Sequence, residues 1–329
     1  MMRFRTELHV KKSPHALGYD DSILSLGSCF AEHIGEGLRY RQFRTCVNPH
    51  GVLYNPHSIR DMLRFATQES DTPPDWVWIQ HDGLWHSFWH DSRFSSPDRD
   101  ELERRLRRTQ RSTQKFLQQS RYWLITLGTA WVYAYKPSGR VVANCHKVPQ
   151  QKFNRYRLSV EAITELLEEI IALRDQWHPD GCLIFSVSPV RHLKDGFHAN
   201  NLSKAALHLA LENVCSDANK VFYFPAYELL TDDLRDYRFY ADDLLHPSSL
   251  AVAYIWQAFA RAWISESAFE VMHEVEQIQK GWAHRPIVPD HPDEKARRAR
   301  LRQRMEVLQQ RYPFMRFTRP DTPYQNEAF

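Results

Sequence analysis

The chain has 329 residues, a hydrophobic fraction of 43% and a formal net charge of +3. That length can bury a sizeable core in one large domain or two small ones, and the apolar content argues against disorder. The small net charge gives no reason to expect a nucleic-acid partner, and no run of eighteen apolar residues predicts a membrane span.

Met1 to Ser13 is basic but has no apolar h-region or small-residue cleavage site, so no secretory signal is expected. The five cysteines, Cys29, Cys46, Cys145, Cys182 and Cys215, are odd in number and lack zinc spacing. Reduced thiols and a cytoplasmic location are the expectation. Ile23 to Gly27 reads as a strand, and Glu32 to Tyr40 as a helix with Ile34 and Leu38 on one face. Between them lies Gly27-Ser28-Cys29-Phe30-Ala31. A strand thus ends at a glycine, and a helix opens with a hydroxyl and a thiol. Unpaired N–H groups and the helix dipole at such a terminus favour a thiolate and an oxyanion beside it. Ser28 is expected to cap the helix and Cys29 to be the nucleophile; Ser28 as nucleophile is the alternative.

Asn48-Pro-His-Gly51 and Asn55-Pro56 mark tight loops around Val52 to Tyr54. Ser58 to Thr67 reads as a helix with Ser58 as its cap. Asp71 to Pro97 is rich in tryptophan and histidine, with a hairpin expected over Trp76 to Phe88 around Asp82-Gly83. Its aromatic faces suit either a substrate platform or the small core of a lid. His86 and His90 have metal-compatible spacing only if helical, so no metal is expected. Asp98 to Gln119 reads as a charged helix. Tyr122 to Leu127 is an apolar strand ending at Gly128-Thr129, and Trp131 to Val142 a second hairpin around Pro137-Ser-Gly139.

Ser159 to Leu173 is an amphipathic helix with Ser159 as cap, and Cys182 to Val187 an apolar strand ending at Ser188-Pro189. Leu202 to Val214 reads as helix, Val221 to Phe224 as strand, and Pro247 to Phe259 as helix. Arg191, His192 and Lys194 follow a strand end, at the expected rim of a site, where they suit an anionic group or serve as ordinary surface. His146 and Lys147 have the same standing. Asp243-Leu-Leu-His246-Pro places an acid three residues before a histidine. Nucleophile, acid and base in this order make a triad-like inventory. Strands alternating with helices predict an α/β fold with a parallel sheet and a site at the carboxyl ends of its strands. From about residue 266 the pattern is helical and charged, then proline-rich, an expected C-terminal extension joined at Pro286 to Pro292. Lys295 to Arg304 is very basic: a solvated helix face, or a docking surface for an anionic partner.

Leu-Gly-Ser-Cys-Phe-Ala resembles the signature of GSCFA-domain proteins. Asn48 to Pro56, Thr126 to Tyr133, Asn144 to Pro149, Ser186 to His192 and Asp243 to Pro247 also look like blocks of that family. The resemblance covers about residues 20 to 265. The family looks like a branch of the SGNH (GDSL-like) hydrolase superfamily, which implies a flavodoxin-like three-layer α/β/α sandwich and acyl cleavage or transfer, often from sugars. It implies a catalytic domain over 1–265, with an insertion at about 56–120, and the extension over 266–329. It puts Cys29 at the nucleophile, Ser28 at the usual aspartate, Gly51 at the oxyanion-hole glycine, and His246 and Asp243 at the base and its orienting acid. Gly128-Thr129-Ala130-Trp131 falls on Gly-x-Asn-Asp, so Gly128 joins the oxyanion-hole expectation and Trp131 the substrate-binding one, with Arg191, His192 and His146. A thiol replaces the usual serine, and Ala130 stands where an oxyanion-hole asparagine is expected; Asn55, Asn144 and Asn48 are the candidate replacements. The expected activity is acyl transfer to water or to a saccharide hydroxyl, without a cofactor beyond an acyl donor such as a thioester. The alternatives are a degenerate glycan- or ligand-binding module, or an assembly component docking through Lys295–Arg304.

Overall fold

In Tyr122–Leu127 and Cys182–Val187 successive side chains are buried on opposite sides, so these strands are covered on both faces. The computed structural model describes residues 5–68, 73–284 and 291–317. In chain order the elements are β1 (Ser22–Gly27), α1 (Cys29–Tyr40), β2 (Arg44–Val47), α2 (Pro56–Thr67), β3 (Trp78–His81), β4 (Leu84–Ser87), α3 (Arg99–Leu117), β5 (Tyr122–Leu127), β6 (Trp131–Tyr135) and β7 (Arg140–Val142). There follow β8 (Phe153–Arg157), α4 (Val160–Trp177), β9 (Cys182–Val187), α5 (Gly196–Val214), β10 (Val221–Tyr223), the single turn α6 (Ala226–Glu228), α7 (Ser249–Trp263), α8 (Glu266–Ala283) and α9 (Pro292–Arg311).

Five strands pair in parallel in the order β10-β9-β5-β1-β2. Counting only these strands along the chain, the order is 5-4-3-1-2, that of a flavodoxin-like sheet. Ile23, Tyr122, Leu124, Cys182 and Ile184 face a core shared with α1, α7, α8 and α9. Leu24, Leu26, Trp123, Ile125, Leu127, Leu183 and Phe185 face the other core, with α2 to α5. The result is the expected three-layer α/β/α sandwich. Its topological switch point, where ligands bind in such sheets, lies between the carboxyl ends of β1 and β5.

The chain turns sharply there. Gly27 has φ +131°, and a Cβ on it would lie 2.1 Å from the Thr126 carbonyl oxygen. The next residue donates its N–H to that same oxygen (Ser28 N to Thr126 O, 3.0 Å). Only glycine permits this approach. Gly27→Ala is therefore expected to lose about 4 kcal/mol or more of stability, since backbone meets backbone and nothing can give; a urea titration measures it.

The hairpin over Trp78 to Ser87 forms as expected, with Asp82 (φ 49°) and Gly83 (φ 74°) in the left-handed turn that such hairpins need. Some boundaries differ from expectation. Asn55, not Ser58, caps α2, accepting the Ser58 N–H at 2.8 Å. Helix α5 begins at Gly196, six residues before the expected start. Ser248 caps α7, and Pro247 stays outside, bridged to Tyr240. The expected joint at Pro286 to Pro292 falls mostly outside the described residues. Among the described residues, no helix is long and apolar enough to cross a membrane.

The extension packs onto the sandwich. Val275, Ile278, Leu301 and Leu308 enter the α1–α7 core. Arg304 grips Glu274 with two hydrogen bonds (2.6 and 2.7 Å), and Arg41, which ends α1 as its C-cap, donates to Glu276 at 2.7 Å. Arg297 and Arg298 pair with Glu294 inside α9. Much of the basic run is thus neutralised within the chain.

Candidate functional site

Ser28 follows β1 and caps α1: its Oγ accepts the Phe30 N–H at 3.3 Å, and it is fully buried. Cys29, one residue on, is only half-buried. The cap role expected for Ser28 holds, and its full burial leaves Cys29, partly buried against the α1–α7 core, as the more accessible of the two. The thiol pKa, however, is raised rather than lowered. Burial is the main cause and the Glu32 carboxylate the second; the N–H groups of Cys29 and Phe30 and the Lys204 ammonium oppose them. The helix terminus acts as expected but is outweighed. Cys29 rests as a thiol and needs a base to react.

His246 and Asp243 form a pair. The imidazole Nδ1–H donates to Asp243 Oδ2 at 2.6 Å, while Oδ1 accepts the N–H groups of Leu245 and His246, both at 2.9 Å. These N–H bonds, led by that of His246, hold the carboxyl at about 2. A carboxylate only accepts, so Nδ1 carries a proton, and in the neutral imidazole the lone pair is the one on Nε2. The loop is anchored by Ala241 N to His246 O (2.7 Å), and by Arg191 N to Leu245 O (3.2 Å) from the segment after β9.

Two further histidines lie between this pair and the start of α1. His33 lies four residues after Cys29 on α1, hence on the same helix face. Burial lowers its pKa, the Glu32 carboxylate opposes that, and His246 adds a smaller lowering whenever it is protonated. His192, after β9, is lowered to about 4 by burial, with Lys204 and His246 contributing. Its ring meets Tyr54 edge-on at 5.6 Å, and Tyr54 in turn feels the charges of Cys29 and Glu32. Cys29, His33, Tyr54, His192 and His246 therefore surround one region at the switch point. Arg191 lies over Tyr240 (4.2 Å) and Tyr237 (5.3 Å), beside the Asp243–His246 loop. Trp131 lies under Arg155 at 4.2 Å, on the far side of Gly128 in sequence.

The expected oxyanion hole needs correction. The Gly51 N–H is spent on Asn48 O (2.9 Å), and the Gly128 N–H on Tyr54 O (2.7 Å). Neither is an open donor. The Ala130 N–H is taken by Ser203 Oγ at 2.8 Å. Gly51 serves instead to let Asp91 approach: it has φ +92°, and a Cβ would lie 2.3 Å from the Asp91 Cγ. Asn48 is buried, with Oδ1 on the Gly27 N–H (2.9 Å) and Nδ2 without a partner among the described residues. Asn144 and His146 sit beside the small core of Phe88, Val142 and Phe153: the Asn144 N–H donates to Phe88 O (3.2 Å), and the His146 ring lies 6.4 Å from that of Phe88. Asn144 Oδ1 accepts the His146 N–H (2.8 Å); the His146 Nε2–H donates to Ser87 O (2.8 Å), and its ring stacks on His86. Buried there, His146 is not offered to a substrate. Asn55 remains beside the site. It follows Tyr54, whose carbonyl holds Gly128, and Gly128 lies against Ser28. The N–H groups of Cys29 and Phe30 open α1, and both favour the thiolate.

Trp78, Trp85 and Trp89, on and after the β3–β4 hairpin, are partly packed. Trp89 packs on Phe65 (5.1 Å), and Arg99 covers Trp78 and Trp85. Sequence reasoning passed over His33, Tyr54 and Lys204. His33 carried a signal in its spacing from Cys29. Lys204 carried one too, as a charge within the buried stripe Asn200, Ser203, Leu207, Leu211 of α5.

The GSCFA family model matches residues 22–259, from the first strand to the middle of α7. The chain belongs to the GSCFA family. The matched span contains both Cys29 and the Asp243–His246 pair of this GSCFA protein, together with Tyr54, His192 and Lys204. A comparison with curated proteins found no match.

Proposed function

We propose that this GSCFA protein is an acyl-transfer enzyme that works through a thioester on Cys29. The reading is supported by two features of one end of the sheet: a partly buried thiol at the strand-to-helix turn of the switch point, and an imidazole whose Nδ1–H is held by Asp243; among the described residues no hydrogen bond joins the two side chains at rest, and the reaction requires them to meet. His246 Nε2 takes the thiol proton as Sγ attacks the acyl carbonyl carbon. The Cys29 N–H and the Asn55 side-chain amide hold the oxyanion. The intermediate collapses, the bond to the leaving oxygen or sulfur breaks, and the imidazolium gives that atom its proton. An acceptor hydroxyl then loses its proton to His246 and attacks the thioester, and the departing thiolate recovers the proton. Water as acceptor makes an esterase; a saccharide hydroxyl makes a transferase. Only an acyl donor is required, and Arg191 and His192 line the approach.

One arrangement favours a second reading. With the Gly51 and Gly128 N–H groups already bonded, the pocket is less equipped for turnover and suits a degenerate SGNH-like module that holds a glycan or acylated ligand. The discriminating experiment compares the wild type with His246→Asn and Asp243→Asn on p-nitrophenyl acetate. The enzyme reading expects kcat to fall about 10³-fold or more for His246→Asn, and by a comparable factor for Asp243→Asn, since both remove the base or its orientation. Equal, slow rates in all three proteins would support the binding module.

A further inference from the structure

Lys204 is the least expected charge in the molecule. It lies on the buried stripe of α5 and is 2% exposed. Its Nζ donates to Gly128 O and to Ser188 O, both at 2.7 Å. These carbonyls end β5 and β9, so the cation is pinned at the carboxyl edge of the sheet, next to the strand whose following residues are Ser28 and Cys29. A buried lysine needs compensation for its lost hydration, and two carbonyl dipoles compensate it only in part. A third N–H direction is left over.

We infer that Lys204 is a positioning residue that acts through Cys29: its ammonium, clamped by two strand ends, is the internal counter-charge that supports the thiolate when the proton leaves. The inference rests on Cys29 being the reactive group of the site, and it adds a role that neither the Asp243–His246 pair nor the helix terminus fills. Gly128, whose carbonyl holds Nζ, lies against Ser28, the residue before Cys29, and the ammonium and a thiolate there favour one another. Burial lowers Lys204 to about 7 and Cys29 pulls it back up, while Lys204 lowers Cys29 against burial and Glu32. The other titratable neighbours are His192 after β9, His208 on α5 and Tyr227 on α6, whose ring lies 5.9 Å from Nζ. His192 and His208 are both depressed further by Lys204, so neither supplies a competing positive charge at neutral pH.

The consequence is a pH signature. Near pH 7 a substantial fraction of Lys204 is charged and supports the thiolate. Toward pH 9 the amine is neutral while the thiol is intact, and the support fades. The rate of Cys29 alkylation by iodoacetamide, read by mass spectrometry of the peptide, should therefore rise less than tenfold per pH unit between pH 7 and pH 9 in the wild type. Lys204→Met should slow alkylation about fivefold at pH 7 and by less than about twofold at pH 9, with close to a tenfold rise per unit between. Lys204→Gln, which keeps two N–H donors for the carbonyls and removes the charge, should behave like Lys204→Met. A wild-type slope of tenfold per unit across this range, or variants slowed equally at both pH values, would overturn the inference. Alkylation needs no acyl substrate. The result therefore stands apart from the acyl-transfer reading, which fails separately if His246→Asn leaves ester turnover unchanged.

Discussion

Cys29→Ala is expected to abolish turnover of a short-chain acyl ester, with kcat down about 10⁴-fold, while Ser28→Ala keeps activity within about tenfold of the wild type. The two residues are neighbours, yet the turn separates their fates. Ser28 is sealed against Gly128, with its oxygen spent on the first turn of α1. Its removal costs a helix cap, about 1 kcal/mol, which appears as a lower melting temperature rather than as lost chemistry. Cys29 is the side chain the turn leaves partly open, on the helix face that carries His33. Steady-state assays on both folded variants decide the matter. An inactive Ser28→Ala beside an active Cys29→Ala would transfer the nucleophile to the hydroxyl.

The second large effect is on stability in acid. His50, His90 and His146 are buried neutral. His50 Nδ1 lies 3.1 Å from His90 Nε2, and His90 Nδ1 lies 2.8 Å from Ser87 Oγ. Burial lowers His50 to about 3, His146 to about 4 and His90 well below its usual value. Above pH 6.5 all three are neutral in folded and unfolded chains alike, so nothing is lost. As pH falls below 6.5 the unfolded chain takes up protons that the folded chain refuses, and the balance shifts toward unfolding until the folded values are reached. At pH 5 each imidazole accounts for about 2 kcal/mol, a large share of a typical domain's margin. Urea unfolding at pH 7.5 and pH 5 should show a loss of about 4 kcal/mol or more. Unchanged stability across that window would mean that these imidazoles protonate in place.

The parts of this fold that could be read in the sequence are those whose signal is local. β1, β5 and β9 are continuous apolar runs because helices cover both of their faces. The Asp82-Gly83 turn and the Ser159 cap are likewise local. β2 was missed because its four residues, Arg-Thr-Cys-Val, are too short and mixed for a period-2 pattern; it exists because β1 offers it an edge. The same division runs through the site. A nucleophile at a strand-to-helix turn and an acid three residues before a histidine were visible as spacing. The oxyanion-hole glycines were not, because the openness of an N–H depends on which distant carbonyl reaches it: Asn48 O takes the one on Gly51, and Tyr54 O that on Gly128. The state of Cys29 is hidden from the sequence for a related reason. Its helix terminus is a sequence feature, whereas its burial belongs to the assembled fold.

Covalent trapping tests the central claim most directly. The protein is mixed with a short-chain acyl thioester, quenched in acid within the first turnover, digested, and its peptides weighed before and after hydroxylamine. One acyl group per chain on the peptide that contains Cys29, released by hydroxylamine and absent from Cys29→Ala, is the predicted result. An acyl group on Ser28 or another residue, or none on a chain that still turns over the donor, would contradict it.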